Sequence, residues 1–151
     1  MRYGISCGAV ILDAGKVLLV HHREQGKYDF WVLPGGRLEG SESILDCIRR
    51  EVWEETNLEI KPGKILYIQE FVQPEYHFIK PFLLCEITGG KLSLKNNSAD
   101  KNFLVEARFF GQKELAGRLV YPEILNEEFW QDLAAGFPEV RYLGLKTIPE
   151  D

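Results

Sequence analysis

Gly36-Arg37-Leu38-Glu39-Gly40-Ser41-Glu42, followed after a short gap by Arg50-Glu51-Val52-Trp53-Glu54-Glu55, sets a dense group of acids behind a glycine turn. From Ser41 to Leu58 the spacing predicts a helix. Ser41 or Ser43 can cap its start, apolar residues recur at Ile44, Ile48 and Val52, and no proline interrupts it. At about 100° per residue, with Glu51 at zero, Cys47, Ile44, Glu55, Ile48 and Val52 fall at roughly −40°, 20°, 40°, 60° and 100°. Glu51 and Glu55 therefore lie inside the apolar arc and Glu54 at its edge, near about −60°, while Glu42, Asp46, Arg49 and Trp53 occupy the other side. Amphipathic helices keep charge out of the buried stripe. A local sequence that breaks its own local rule is the mark of a working site.

A second conflict reinforces the first. Glu54 and Glu55 stand in the last helical turn, where the helix dipole is negative and acids are unfavourable. Partly desolvated carboxylates at that end repel one another unless positive charge sits among them. The i, i+3 and i+4 spacing puts Glu51, Glu54 and Glu55 on neighbouring surface, and a divalent cation would resolve both conflicts. All-oxygen ligation suits Mg²⁺ or Mn²⁺ and not zinc. A solvated acidic face, or a simple Arg50–Glu54 helical pair, is the plainer reading. Neither accounts for Glu51.

These residues resemble the signature of the Nudix hydrolases: Gly, five residues, Glu, seven residues, Arg-Glu, an aliphatic, any residue, Glu-Glu, any residue, Gly, an aliphatic. Gly36 to Leu58 meets every fixed position except the last glycine, which is Asn57. The departure is mild, because asparagine tolerates the positive φ with which the chain leaves a helix. Trp31-Val32-Leu33-Pro34-Gly35-Gly36 is similar to the family's usual lead-in. The resemblance implies a mixed-sheet α/β fold of the Nudix α/β/α sandwich type, as a single domain over 1–151. It also implies an enzyme that hydrolyses the pyrophosphate bond of a nucleoside diphosphate linked to another group, such as ADP-ribose or a related nucleotide. On that reading Glu51, Glu54 and Glu55 hold Mg²⁺ or Mn²⁺. The Gly36 carbonyl is a further ligand, since Gly35-Gly36 lets the backbone approach closely. Glu51 and Glu54 are catalytic and Arg50 orients one of them. The alternative is a non-catalytic Nudix-like module that senses a nucleotide or binds a protein; loss of box carboxylates would favour it, and none is lost.

Composition agrees. A chain of 151 residues, 45% hydrophobic and 12% aromatic, is one globular domain by size. The net charge of −5 argues against a partner that is a nucleic-acid polymer. Met1-Arg2-Tyr3-Gly4 leads straight into a strand pattern rather than a signal peptide, and no apolar run approaches the ~20 residues that cross a membrane. Cys7, Cys47 and Cys85 are odd in number, scattered and set among apolar residues. They read as buried thiols of a reducing, cytoplasmic compartment. The apolar terminal segments would suit a homodimer contact.

The rest of the chain alternates strands with a second helix. Gly8–Leu12 and Val17–His21 flank a hairpin turn at Asp13-Ala14-Gly15-Lys16. Phe30–Leu33 is a short strand stopped by Pro34. Lys64–Val72 and Tyr76–Ile87 are long strands, the second carrying Pro81 and so expected at an edge or with a bulge. Thr88-Gly89-Gly90 turns the chain back through Lys91 to Leu94, Lys95–Asn102 is a loop, and Val105–Phe110 is the last strand. Pro122 opens a helix that runs to about Ala135 and ends at Gly136.

Beyond the box the signals thin. Asp100, on the polar loop, and Glu106, at the start of a strand, are downstream candidates for the general base, beside Glu51 within the box. Arg23 and Lys27 are candidate phosphate contacts. Solvated loop charge is the plainer reading of Lys27, and strand-end packing that of His21 and His22. Phe30, Trp31, Tyr76 and Phe78 could stack on a base, though core packing explains them as well. In the resembling family, a proline at one distance past the box goes with ADP-ribose and a tyrosine at a similar distance with dinucleoside polyphosphates. Here Pro74 and Tyr76 follow Leu58 by 16 and 18 residues, so both markers are present and neither chooses the substrate.

Overall fold

A run of buried residues from Ser6 to Ile11 shows how the chain is layered: this strand is covered on both faces. A computed structural model describes residues 1–97 and 103–148. In chain order the strands are β1 (Arg2–Asp13), β2 (Lys16–Glu24), β3 (Tyr28–Val32) and β4 (Gly35–Arg37). Then come α1 (Ile44–Thr56), β5 (Leu58–Gln73), β6 (Tyr76–Gly90), β7 (Leu104–Phe110), β8 (Val120–Tyr121), α2 (Glu128–Ala134) and β9 (Arg141–Thr147). The sheet order is β8-β3-β2-β1-β6-β5-β9, with β4 also paired to β1 and β7 to β2. The β1–β6, β3–β8 and β5–β9 pairs are parallel and the others antiparallel. Cys7, Ala9 and Ile11 of β1 pack with Cys47, Ile48 and Val52 of α1. Val10 and Leu19 pack on the other side, with Leu125, Phe129 and Phe137 around α2. The result is a curled mixed sheet between helices, as expected.

Local chemistry explains the junctions. Ala14 and Gly15 both take positive φ, 50° and 76°, which matches the two-residue turn whose twist suits a hairpin. Ser43 caps α1: its hydroxyl accepts from Asp46 N at 3.1 Å, and Asp46 Oδ2 accepts in return from Ser43 N at 3.4 Å. Asn57 ends the helix in the left-handed region at φ 64°.

Four expectations need correction. Pro81 lies in an interior strand, not at an edge. The β1–β6 ladder breaks between Ile5↔Ile79 and Gly8↔Phe82, where Ser6 and Cys7 pair instead with Arg37 and Gly36 of β4, so proline's missing donor breaks no ladder bond there. Thr88-Gly89-Gly90 is not the turn: β6 runs to Gly90, and Gly89 and Gly90 pair with Glu59 and Leu58 of β5. The chain that follows serves the end of α1, Ser93 N donating to Thr56 O at 2.9 Å and Asn96 Nδ2 to Trp53 O at 3.3 Å. The helix from Pro122 is two pieces, a 3₁₀ turn at Glu123–Asn126 and then α2, because Glu127 leaves helical geometry; the indole of Trp130 donates to Leu125 O at 2.8 Å across the break. Finally, Val105–Phe110 is not the last strand: β8 and β9 follow it. Of the predicted loop Lys95–Asn102, residues 98–102 lie outside the described residues.

Candidate active site

Strand β4 and helix α1 are held face to face through two glycines. Gly35 N donates to Glu55 Oε2 at 3.2 Å. A Cβ on Gly36 would collide with the Glu51 carboxylate, and one on Gly35 with the Cys7 carbonyl. Only glycine lets the helix lay its acids directly on this backbone. Glu51 and Glu55 are 5% and 3% exposed, so the charges the sequence placed in the apolar arc are indeed buried. Glu54 is half-buried at the edge.

Arg50 organises the acids. Nη1 donates to Glu51 Oε1 at 2.8 Å and to Glu54 Oε2 at 3.4 Å. Nη2 and Nε grip Glu42 at 2.7 and 3.1 Å, and Nη2 also reaches the Arg37 carbonyl at 3.1 Å. Glu39 lies 3.6 Å from the same guanidinium. The hydrogen bonds from Arg50 hold the Glu42 carboxyl down to about 2, and Glu42 and Glu51 in turn raise the guanidinium above its ordinary value. Behind Arg50, the Cys7 and Cys47 thiols meet at 3.2 Å; that contact lowers Cys7 and raises Cys47, and Cys85 is buried as well.

Lys80 reaches the site from β6. Its Cε would lie 3.2 Å from a Cβ on Gly8, the residue paired with Gly35. Burial lowers its ammonium, against the opposing pull of Glu55 and Glu51. Five carboxylates, Glu39, Glu42, Glu51, Glu54 and Glu55, thus surround two cationic side chains and leave the site negative. Among the described residues no three His, Cys, Asp or Glu side chains converge to hold an ion in this arrangement. The donor set still suits a hard cation. It is all oxygen, it carries excess negative charge, and the glycine cradle sets a backbone carbonyl, Gly36 O, beside the Glu51 carboxylate.

The other sequence candidates fall elsewhere. Glu106 is exposed and lies 3.9 Å from Arg108. It shares the face of β7 that carries Phe110, whereas Ala107 and Phe109 pack toward α1. Arg23 lines a shallow depression at the β2–β3 hairpin, and Lys27, on the same hairpin, pairs with Glu24 at 3.1 Å. Asp100 lies outside the described residues. Trp31 is core, at 4% exposure and stacked on His21, while Arg37 sits 4.4 Å over the Tyr76 ring.

Sequence reasoning missed three residues. Glu42 fell on the solvent side of a helical wheel that does not apply to it, since the helix begins after Ser43. Lys80 carried a readable signal, a charge between Phe78 and Phe82 on one face of an apolar strand. Gln69, buried opposite Lys80, carried none.

The NUDIX domain family model matches residues 2–138. Among curated proteins, the chain is 36% identical over 107 residues to the 8-oxo-dGDP phosphatase NUDT18 of Danio rerio, covering 70% of this chain and 31% of that protein. It is 30% identical over 71 residues to phosphatase NudJ of Escherichia coli strain K12, covering 47% of this chain and 46% of that protein. The chain thus spans less than half the length of either relative. Among solved structures, an ADP-ribose pyrophosphatase from Streptococcus suis superposes with TM-score 0.64 at 25% identity, over 92% of this chain and 98% of that one. A Nudix hydrolase from Nitrosomonas europaea superposes with TM-score 0.73 at 18% identity, over 98% and 81%.

Proposed function

The chain belongs to the Nudix family, and from that premise we propose that it hydrolyses the anhydride bond of a nucleoside diphosphate derivative with the help of Mg²⁺ or Mn²⁺. The observation that carries this reading is the burial of Glu51 and Glu55, at 5% and 3% exposure, against a glycine backbone in a site of excess negative charge. Buried acids are costly unless paired, and Arg50 and Lys80 bring two positive charges to five carboxylates.

Glu51, Glu54, Glu55 and the Gly36 carbonyl are the groups that would hold the cation. When bound, it screens the diphosphate and makes a bound water more acidic. The chain's own residues do the rest. Arg50 fixes the Glu51 carboxylate through Oε1, and Glu51 accepts the proton of the attacking water. Lys80 brings positive charge to the substrate side of the site. Water adds to one phosphorus and the bridging oxygen leaves, giving two phosphate monoesters from a diphosphate esterified at both ends, or a nucleoside monophosphate and phosphate from a nucleoside diphosphate. Positioning and charge neutralisation suffice for such a displacement.

ADP-ribose and 8-oxo-dGDP are named for similar proteins and are natural first substrates. A screen of nucleoside diphosphates, triphosphates, dinucleotides and nucleotide sugars with Mg²⁺, read as phosphate released after coupling to a monoesterase, tests the proposal. Turnover that vanishes with chelator is expected. Silence across the panel would instead favour a nucleotide-sensing or protein-binding module.

A further inference from the structure

Cys7 on β1 and Cys47 on α1 lie 40 residues apart in the chain, yet their sulfurs meet at 3.2 Å. Both side chains are fully buried, in the cluster where Ala9 and Ile11 of the strand pack on Ile48 and Val52 of the helix. A buried thiol is most simply a small hydrophobe. That reading suffices for Cys85, whose Sγ donates to Leu83 O at 3.4 Å. Two sulfurs in contact add a chemistry that packing does not use, because they stand only about 1 Å from covalent distance.

The pair underlies the candidate active site. Cys7 is the register partner of Gly36 on β4, and Cys47 Sγ donates to Gly36 O at 3.7 Å. Arg50 Nη2 lies 3.8 Å from the same sulfur. One thiol pair is therefore in contact with both the carbonyl assigned to the cation and the guanidinium that orients Glu51. Closing the sulfurs by about 1 Å draws α1 toward β1 at Cys47 and takes the thiol proton from Gly36 O. A misplacement of about 1 Å in a site that works by positioning can cost about a hundredfold in rate.

We propose that Cys7 and Cys47 are a modification site, oxidised by hydrogen peroxide to a disulfide that slows the hydrolase and that a small dithiol reverses. In the first step one sulfur attacks the peroxide, the O–O bond breaks, the sulfur keeps one oxygen as a sulfenic acid, and water leaves. In the second the other sulfur attacks the sulfenic sulfur, the S–S bond forms, the S–O bond breaks, and a second water carries off the remaining thiol proton. The two sulfurs lose two electrons and the peroxide gains them. Exchange with a dithiol returns both thiols and leaves the dithiol as its own disulfide. Contact at 3.2 Å lets the second thiol capture the sulfenic acid before it oxidises further. Because both thiols are buried, peroxide reaches them only through local opening, and the reaction is slow beside that of an exposed thiol. The loss of rate rests on the chain being a nucleotide hydrolase; the crosslink does not.

The test treats the full chain for hours with millimolar hydrogen peroxide, removes the excess with catalase, and returns half of the sample to dithiothreitol. Thiols titrated in denaturant should fall from three to one and come back to three on reduction. Peptide mapping without reductant should find the Cys7 and Cys47 peptides joined and lighter by two hydrogens. On the substrate found by the screen, kcat should fall about 10–100-fold and recover with dithiothreitol. Cys7→Ala and Cys47→Ala should each form no crosslink and lose the reversible inhibition with it, and either one reports if the other fails to fold. Cys85→Ala should respond as the parent does. Three thiols surviving the treatment, a crosslink through Cys85, a Cys7–Cys47 crosslink with unchanged kcat, or reversible inhibition of the parent's size in Cys7→Ala overturns the proposal. A Cys7–Cys47 crosslink in a chain whose reduced form hydrolyses nothing would defeat the reaction and leave the thiol site standing. A working hydrolase that keeps its three thiols would do the reverse.

Discussion

Arg50 is the residue on which the site turns, because one guanidinium fork serves Glu42, Glu51 and Glu54 together. Arg50→Lys keeps the charge and loses the fork. Carboxylate orientation should then fail, and kcat should fall about 10–100-fold with modest change in melting temperature. Steady-state kinetics on the substrate found by the screen would check this, and an unchanged kcat would remove Arg50 from the mechanism. Glu42 gives a prediction in pH. Its carboxyl is held at about 2 in the fold against 4.5 ordinarily. A depressed folded value contributes stability that is complete above the unfolded value and disappears as pH falls through the folded one. Glu42→Gln should therefore melt with a weaker acid dependence than the parent between about pH 4.5 and 2. Parallel acid limbs in thermal melts would show that the Arg50–Glu42 pair contributes nothing.

Helix α1 is only as well placed as its two ends. Ser43 closes the first turn, and Asn57 closes the last with φ 64° while its side chain donates to Lys91 O at 2.8 Å and accepts from Asn96 at 2.7 Å. Asn57→Gly should cost under about 1 kcal/mol, since the backbone is relieved while two hydrogen bonds, one exposed and one partly buried, are lost. Asn57→Val should cost about 2 kcal/mol, because a β-branched side chain resists this conformation. Urea unfolding of the three proteins gives the order, and a valine variant as stable as the parent would contradict the left-handed cap. The same helix shows why part of the chain could be read without coordinates. Its period, its cap and its misplaced acids are local, and local signals survive in sequence. Strand β9 is the opposite case. Tyr142 and Leu145 are 61% and 56% exposed, and Gly144 interrupts it, so no alternation marks a strand that exists by parallel pairing with β5. The Gln69–Lys80 pair was illegible for the same reason: the two come from separate stretches, and only sheet register brings them together.

At the scale of the molecule, α2 is tied to the sheet by a buried carboxylate. Asp132 accepts from Tyr67 Oη at 2.7 Å and from both Nε and Nη2 of Arg141, at 2.9 and 2.7 Å. Burial raises the Asp132 carboxyl, but Arg141 and Tyr67 outweigh it and hold it below its ordinary value. Asp132→Asn should cost about 1–3 kcal/mol in urea at neutral pH, because it weakens both ties at once. The difference from the parent should shrink as acid protonates Asp132, since its contribution is present at higher pH and is lost as pH falls. A constant difference across pH would place the effect in packing alone. The sheet fixed in this way presents β4 to α1 and sets Lys80 beside Gly8, the partner of Gly35, so the chemistry depends on the whole fold holding its curvature. The most direct test of that chemistry is Mg²⁺-dependent turnover by Glu54→Gln and Glu55→Gln beside the parent chain, with circular dichroism to confirm the fold. Both variants should keep their spectra and lose turnover by about a hundredfold or more; near-normal kcat in either would contradict the assignment of these carboxylates to the reaction.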